Sequence, residues 1–292
     1  MHFYYNMAQV KTHGISHLNR GRLTQLHHKL GGAFSVDDAM SIWQTDRSTT
    51  RRRLAHLAAH GWLVRVQRGR YATIPLDAAQ PGRWQIEPWA VASQVFAPCY
   101  VGGWSACEHW GLTEQIFRTV VVFSASSNLR ERRPVIQETT YIVRQIPADR
   151  LFGARVVWLN QHRILVSDAS RTLVDLLDDP AVGGGITHVV HVMHNYFQST
   201  HCDHALLLDY AARIGNGAVY KRLGYLLEHL QIDAPDLIDA CQTHLTSGYA
   251  LLDPAAPAKG VRRRRWHLHV NITINPESIA EISPDDQSER TE

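Results

Sequence analysis

The chain is predicted to be α+β, with a small N-terminal unit of helices closed by a basic hairpin and a larger mixed α/β C-terminal domain. Three observations predict this. Helical apolar spacing and cap residues recur over residues 22–58, and an alternating arginine-bearing segment follows at 62–74. β-Branched runs mark residues 118–166, and helical periodicity takes over from 169 to 245. Charge is also unevenly divided: residues 1–75 hold eleven basic and three acidic side chains, the remainder nineteen and 24. A basic first quarter on a mildly acidic body implies a polyanion-binding module attached to something else.

Residues 1–17 are mixed in character and read as a loose arm. A first helix is predicted over Arg22–Leu30, with Leu23, Leu26 and Leu30 on one face and Gly31-Gly32 as its stop. Ser35 as N-cap and Asp38 at the capping-box position start a second helix, whose apolar side is Val36, Ala39, Met40 and Trp43. The turn Gln44–Asp46 opens a third helix capped by Asp46 or Thr45. At 100° steps Thr50, Leu54, Leu57 and Ala58 fall inward on it. Ser48, Thr49, Arg52, Arg53 and His56 fall outward, and Arg47 and Arg51 flank the inner face. Gly61 suits a left-handed C-cap. Trp62–Val66 alternates as a strand, Gln67–Arg70 turns, and Tyr71–Ile74 returns.

Helix, turn, helix, then an arginine-bearing hairpin is the order of a winged helix-turn-helix. Arg52 and Arg53 are placed to reach base edges, while Ser48, Thr49 and the helix N-terminus offer donors to phosphate. Arg47 and Arg51 would touch backbone. A hairpin carrying Arg65 and tipped with Arg68 and Arg70 would lie along a phosphate ridge or dip into the minor groove. The rival reading is a solvated helix beside a structural hairpin. Double-stranded DNA is therefore the expected partner of residues 18–75.

Residues 76–98 contain Pro81, Pro88 and Pro98 and read as a linker with one short helix at most. The domain expected at 99–275 has strands at Arg118–Ala125, Thr139–Ile146 and Arg163–Val166. Asp168 would cap a helix over Ala169–Leu177. Helices Ile186–Phe197, Ala205–Ile214, Ala218–Leu230 and Pro235–Leu245 follow, and His267–Ile274 returns as a strand. Residues 276–292 carry six carboxylates against Arg290 and are expected to form a disordered acidic tail.

Other chemistry finds little support. No apolar run reaches the ~18 residues of a membrane helix, so no membrane partner is expected. The N-terminus lacks a signal pattern, and four scattered cysteines fit reduced thiols in a cytoplasm. His188, His191 and His194 recur every three residues, but three steps fall 60° short of a turn, so their nitrogens diverge and no metal is expected. Gly183-Gly184-Gly185 precedes a helix without the Lys-Ser/Thr of a phosphate loop. Asp178-Asp179 sits before Pro180 in a turn context, and Ser170 and Cys107 lack a base partner. No enzymatic activity and no cofactor are expected. The run Arg262, Arg263, Arg264, Arg265, with Lys259 nearby, reads as solvated charge, as a contact for an acidic partner, or as a second touch on DNA.

Three blocks resemble one family. HGWLVRVQRGRYAT after the helix-turn-helix resembles the N-terminal domain of AbiEi-type antitoxins of bacterial abortive-infection (type IV) toxin–antitoxin systems. YVGGWSACEHWGLTEQ (Tyr100–Gln115) is similar to the opening of that family's C-terminal segment. HRILVSDASRTLVDLLDDPAVGGGI (His162–Ile186) is similar to its central strand–helix block, with Arg171-Thr172 and Asp175 in the expected places. The resemblance covers roughly residues 19–275; the N-terminal arm and the acidic tail have no counterpart in it. It implies an antitoxin that represses its own operon by binding the operator. It also implies that the C-terminal domain counters a nucleotidyltransferase-like toxin, by direct binding or indirectly. The alternatives are a winged-helix regulator whose C-terminal domain binds a small ligand, and an enzyme tethered to DNA such as a nuclease.

Overall fold

The computed structural model describes residues 15–30, 33–74, 87–127, 129, 131–159 and 162–274. The chain begins with α1 (His17–Leu30), β1 (Ala33–Ser35), α2 (Val36–Trp43), α3 (Arg47–Ala59), β2 (Leu63–Gln67) and β3 (Arg70–Thr73). α1 starts five residues before the expected Arg22, with the Asn19 amide held by the Ser16 hydroxyl at 3.3 Å. Residues 1–14 of the expected arm, the Gly31-Gly32 stop, residue 75, residues 76–86 of the expected linker and the acidic tail lie outside the described residues.

Caps fix the two central helices. Ser35 accepts from the Asp38 amide and Asp38 accepts from the Ser35 amide, which closes the capping box of α2. Gln44 turns the chain in the left-handed region, and Asp46 caps α3. At the far end Gly61 has φ +74°, its amide donating to Ala58 and that of Trp62 to Leu57. This 5→2 and 6→1 pair ends α3 and aims the chain into β2. Leu54 and Leu57 pack with Leu23, Leu26, Phe34, Val36, Ala39, Leu63 and Tyr71 in one small core. The short β1 was not expected, since three residues are too few to carry a period. It pairs antiparallel with β3, giving the order β1-β3-β2.

Part of the stretch expected as linker is packed. α4 (Pro88–Val95) buries Ala90, Val91 and Ala92 against the sheet that follows, together with Val66 and Ala72 of the hairpin. That sheet has six strands in the order β6-β7-β5-β4-β9-β8. They are β4 (Cys99–Val101), β5 (Thr119–Ser124), β6 (Val135–Ile136), β7 (Thr139–Gln145), β8 (Ala154–Leu159) and β9 (His162–Ser167). Pairs β5/β7 and β4/β9 are parallel and the others antiparallel. α5 (Gly103–His109) and the late helices α6 (Ala169–Asp178), α7 (Ile186–Gln198), α8 (His204–Ile214), α9 (Gly217–His229) and α10 (Pro235–Thr243) build the larger core. The strands and helices expected here lie within a few residues of those observed, whereas β4, α5, β6, β8, β10 and β11 were not anticipated. The returning strand does not rejoin the main sheet. β12 (Leu268–Val270) sits between β10 (Ala250–Leu251) and β11 (Val261–Arg263) in a sheet of its own. The chain is thus mixed α and β. Among the described residues no helix is long and apolar enough to cross a membrane.

The small sheet is held to α9 by Trp266, 1% exposed, which lies over Gly224 and donates to Glu228 at 2.6 Å. A Cβ at Gly224 would stand 2.0 Å from the indole. Alanine is worth about 1 kcal/mol to an exposed helix position, but overpacking costs about 1–3 kcal/mol. Gly224→Ala is therefore expected to lower the midpoint of urea unfolding; an unchanged or raised midpoint would mean that the indole moves aside freely.

Candidate nucleic-acid interface

The geometry of α3 begins with its caps. The Asp46 carboxylate accepts from the Ser48 hydroxyl at 2.6 Å and from the Thr49 amide at 2.9 Å. These bonds, that of Ser48 foremost, hold its pKa far below the usual carboxylate range. The Ser48 hydroxyl and the Thr49 amide, expected to donate to phosphate, thus already donate to a carboxylate of the chain itself. Arg47 does not stand ready for a backbone either. It is paired with Asp37 of α2, both side chains being about 60% exposed. Such a pair is weak and screened by salt.

Burial sets which arginines face out. Thr50, Leu54 and Leu57 are buried, as the 100° spacing predicts, and the Thr50 hydroxyl is satisfied by Thr45 at 2.8 Å. Ser48, Arg51, Arg52, Ala55, His56 and Ala59 are exposed. Arg51 is more outward than expected and Arg53 less so. Arg53 is half-buried and near Arg22 of α1, whose pKa is drawn down by burial and then by the Arg53 charge.

The hairpin divides similarly. Arg65 and Arg68 are exposed, and Gly69 makes the turn at φ +79°. Arg70 departs from its expected role. Its guanidinium donates to the Gln94 carbonyl at 2.8 Å, in the last turn of α4, where unpaired carbonyls collect negative charge. Arg70 thus fastens the hairpin to α4 instead of reaching outward. Among the described residues Arg22, Arg51, Arg52, Arg53, Arg65 and Arg68 form no ion pair. Arg22 was not singled out by sequence, because the fold and not chain distance brings it within reach of the Arg53 charge.

The other candidates are spent on structure. His188 is buried between the Gly183 carbonyl at 2.5 Å and the Thr113 hydroxyl at 2.9 Å, and burial lowers its pKa. His194 meets Gln198, and His201 packs edge-on to Trp110. Among the described residues no three His, Cys, Asp or Glu side chains converge as metal ligands. The N-terminus of α7 behind the glycine run is filled by Asp253, which accepts from the Ile186 amide at 3.1 Å. Asp179 pairs with Arg144 and Asp178 with Arg150. All four cysteines are free thiols, three of them buried. Arg262–Arg265 are exposed on β11 and the turn after it, Arg262 over Tyr249 and Arg265 paired with Glu228 at 2.7 Å. A cleft of about 730 Å³ lies elsewhere, lined by Glu87, Glu108 and Glu138 with Trp89, His109 and Arg118. Its sign is opposite to that of α3. No family model matches this chain, and no curated protein matches it.

Proposed function

We propose that this chain is a DNA-binding repressor in which α1–α3 and the β2–β3 hairpin act as a winged helix-turn-helix. One observation carries the reading: among the described residues six arginines of α1, α3 and the hairpin lack an acidic partner, while Arg47 and Arg70 are already engaged. Arg22 also feels the Arg53 charge, a repulsion that a bound anion relieves. A polyphosphate backbone supplies one at regular spacing.

In this reading α3 enters the major groove with Arg52 at its outermost point, and Arg65 and Arg68 follow the backbone. If five arginines meet phosphate, log affinity for duplex falls with log salt at a slope of roughly −4 to −5. Electrophoretic or fluorescence titrations from low to moderate salt test this, and a flat response removes the electrostatic basis of the proposal. Arg52→Ala should relax sequence preference by about 1–3 kcal/mol, whereas Arg68→Ala should weaken all sequences alike. Identical behaviour of the two would refute that division of roles.

From the resemblance of the blocks at 100–115 and 162–186, the operator is that of the chain's own toxin–antitoxin operon. The C-terminal domain then counters a nucleotidyltransferase-like toxin. Co-expression with the adjacent gene separates the two activities: a variant lacking Arg51, Arg52 and Arg68 should lose repression and still rescue growth. A second reading, a ligand-responsive regulator, is favoured by the placement of α4. Its first turn lines the 730 Å³ cleft and its last turn receives Arg70 from the hairpin. An adjacent metabolic operon, with DNA affinity that changes with its metabolite, would favour that reading.

A further inference from the structure

The cationic run at Arg262–Arg265 is a built feature of the fold. Arg263, Arg264 and Arg265 line a cleft of about 320 Å³ together with Tyr225, Glu228, His229 and Trp266. Its floor is rigid: Trp266 is 1% exposed, and both Glu228 oxygens are taken, one by Arg265 at 2.7 Å and one by the indole at 2.6 Å. Among the described residues Glu228 is the one carboxylate of the lining against three arginines, and of these it pairs with Arg265. Arg263 and Arg264 form no ion pair among the described residues. The cleft carries an uncompensated positive charge.

The described chain ends at its edge. His229, a lining residue, lies 3.4 Å from the Ile274 carbonyl, and Ile274 is itself buried. Eighteen residues follow, with Glu277, Glu281, Asp285, Asp286, Glu289 and Glu292 against Arg290. Glu277 stands three residues past Ile274, a reach of about 10 Å when extended, and Glu281 about 23 Å. Both lengths exceed the 3.4 Å that separates the Ile274 carbonyl from His229 of the cleft lining. The tether also sets a high effective concentration, in the millimolar range for short flexible links, so each carboxylate needs little intrinsic affinity.

We propose that the acidic segment 275–292 docks on the Arg263–Arg265 cleft of its own chain. Arginine forks take carboxylates in paired hydrogen bonds, with Glu277 and Glu281 the nearest candidates. Docking compensates the cleft and keeps it from non-specific phosphate. The inference is independent of the DNA reading, and its test contains no DNA.

The test uses the full chain with Arg264→Lys, which keeps the charge and supplies an amine for zero-length carbodiimide coupling. A mixture of ¹⁵N-labelled and unlabelled chains separates links within one chain from links between two. The expected result is an intrachain amide joining the amine introduced at position 264 to Glu277 or Glu281, identified by mass spectrometry and lost in about 1 M salt, where screening is nearly complete. Neutralising the tail in the same chain (Glu277→Gln, Glu281→Gln) should abolish those links. Coupling of the introduced amine solely between chains, or no coupling to residues 275–292 at low salt, overturns the proposal.

Discussion

Arg171→Ala is expected to cost about 3–5 kcal/mol of folding stability, because it leaves a buried carboxylate without its cation. Arg171 is 1% exposed and Asp175, one helical turn later on α6, is 3% exposed. The guanidinium donates to Asp175 at 2.9 Å, to the Tyr100 hydroxyl at 2.7 Å and to the Phe152 carbonyl at 3.0 Å, and it stacks on Phe152. Tyr100 in turn donates to Asp175 at 2.9 Å. One side chain therefore joins β4, α6 and the loop before β8. Burial pushes the Asp175 carboxyl up from 3.8 to about 6, against the pull of Arg171 and the two hydrogen bonds. The sign follows from linkage. A carboxyl whose folded pKa lies above its unfolded one binds a proton more readily when folded, so its contribution falls as pH rises from about 4 to about 6. Without Arg171 that upper limit moves higher still. Urea titrations should show a larger loss at pH 7 than at pH 5, and an equal loss at both would mean that Asp175 is not the orphaned group. Asp175→Asn in the Arg171→Ala background should recover part of the loss at pH 7.

The second large effect concerns DNA. Replacing Arg51, Arg52 and Arg68 together by Ala removes two backbone contacts and one base contact in the proposed mode. Near 0.1 M salt this amounts to about 3–4 kcal/mol, roughly two to three orders of magnitude in Kd. The salt slope should flatten by about 2. All three side chains are exposed and form no ion pair among the described residues, so the unfolding midpoint should hold. Arg70→Ala provides the contrast. It breaks the bond to Gln94 and should leave the slope unchanged while loosening the hairpin, read as faster amide exchange in β2 and β3. A slope that flattens equally in Arg70→Ala would return that arginine to the DNA surface.

Local physics made much of this molecule readable in advance. Ser35 with Asp38, Asp46, Gly61 and Asp168 act through neighbours within a few residues, so caps and ends were legible as spacing. The inward face of α3 was legible for the same reason, since 100° per residue is a local property. β1, β4 and α5 were not, because each is three to seven residues long and gains its hydrogen bonds or its burial from distant partners. The candidate surface was half legible. Which residues are arginine is written in the chain; which arginines remain available is not. Arg47 was taken by Asp37, Arg70 by the Gln94 carbonyl, and the fold brought Arg22 within reach of the Arg53 charge.

By itself, then, the sequence determined the helical caps, the buried stripe of α3, the basic first quarter and the acidic end, all of which follow from interactions short in chain distance. Tertiary structure alone decided which cations are spent, that α4 belongs to the sheet core, and that an arginine cleft lies where the acidic segment begins. Charge pairing and burial depend on separation in space, and only the folded chain fixes that.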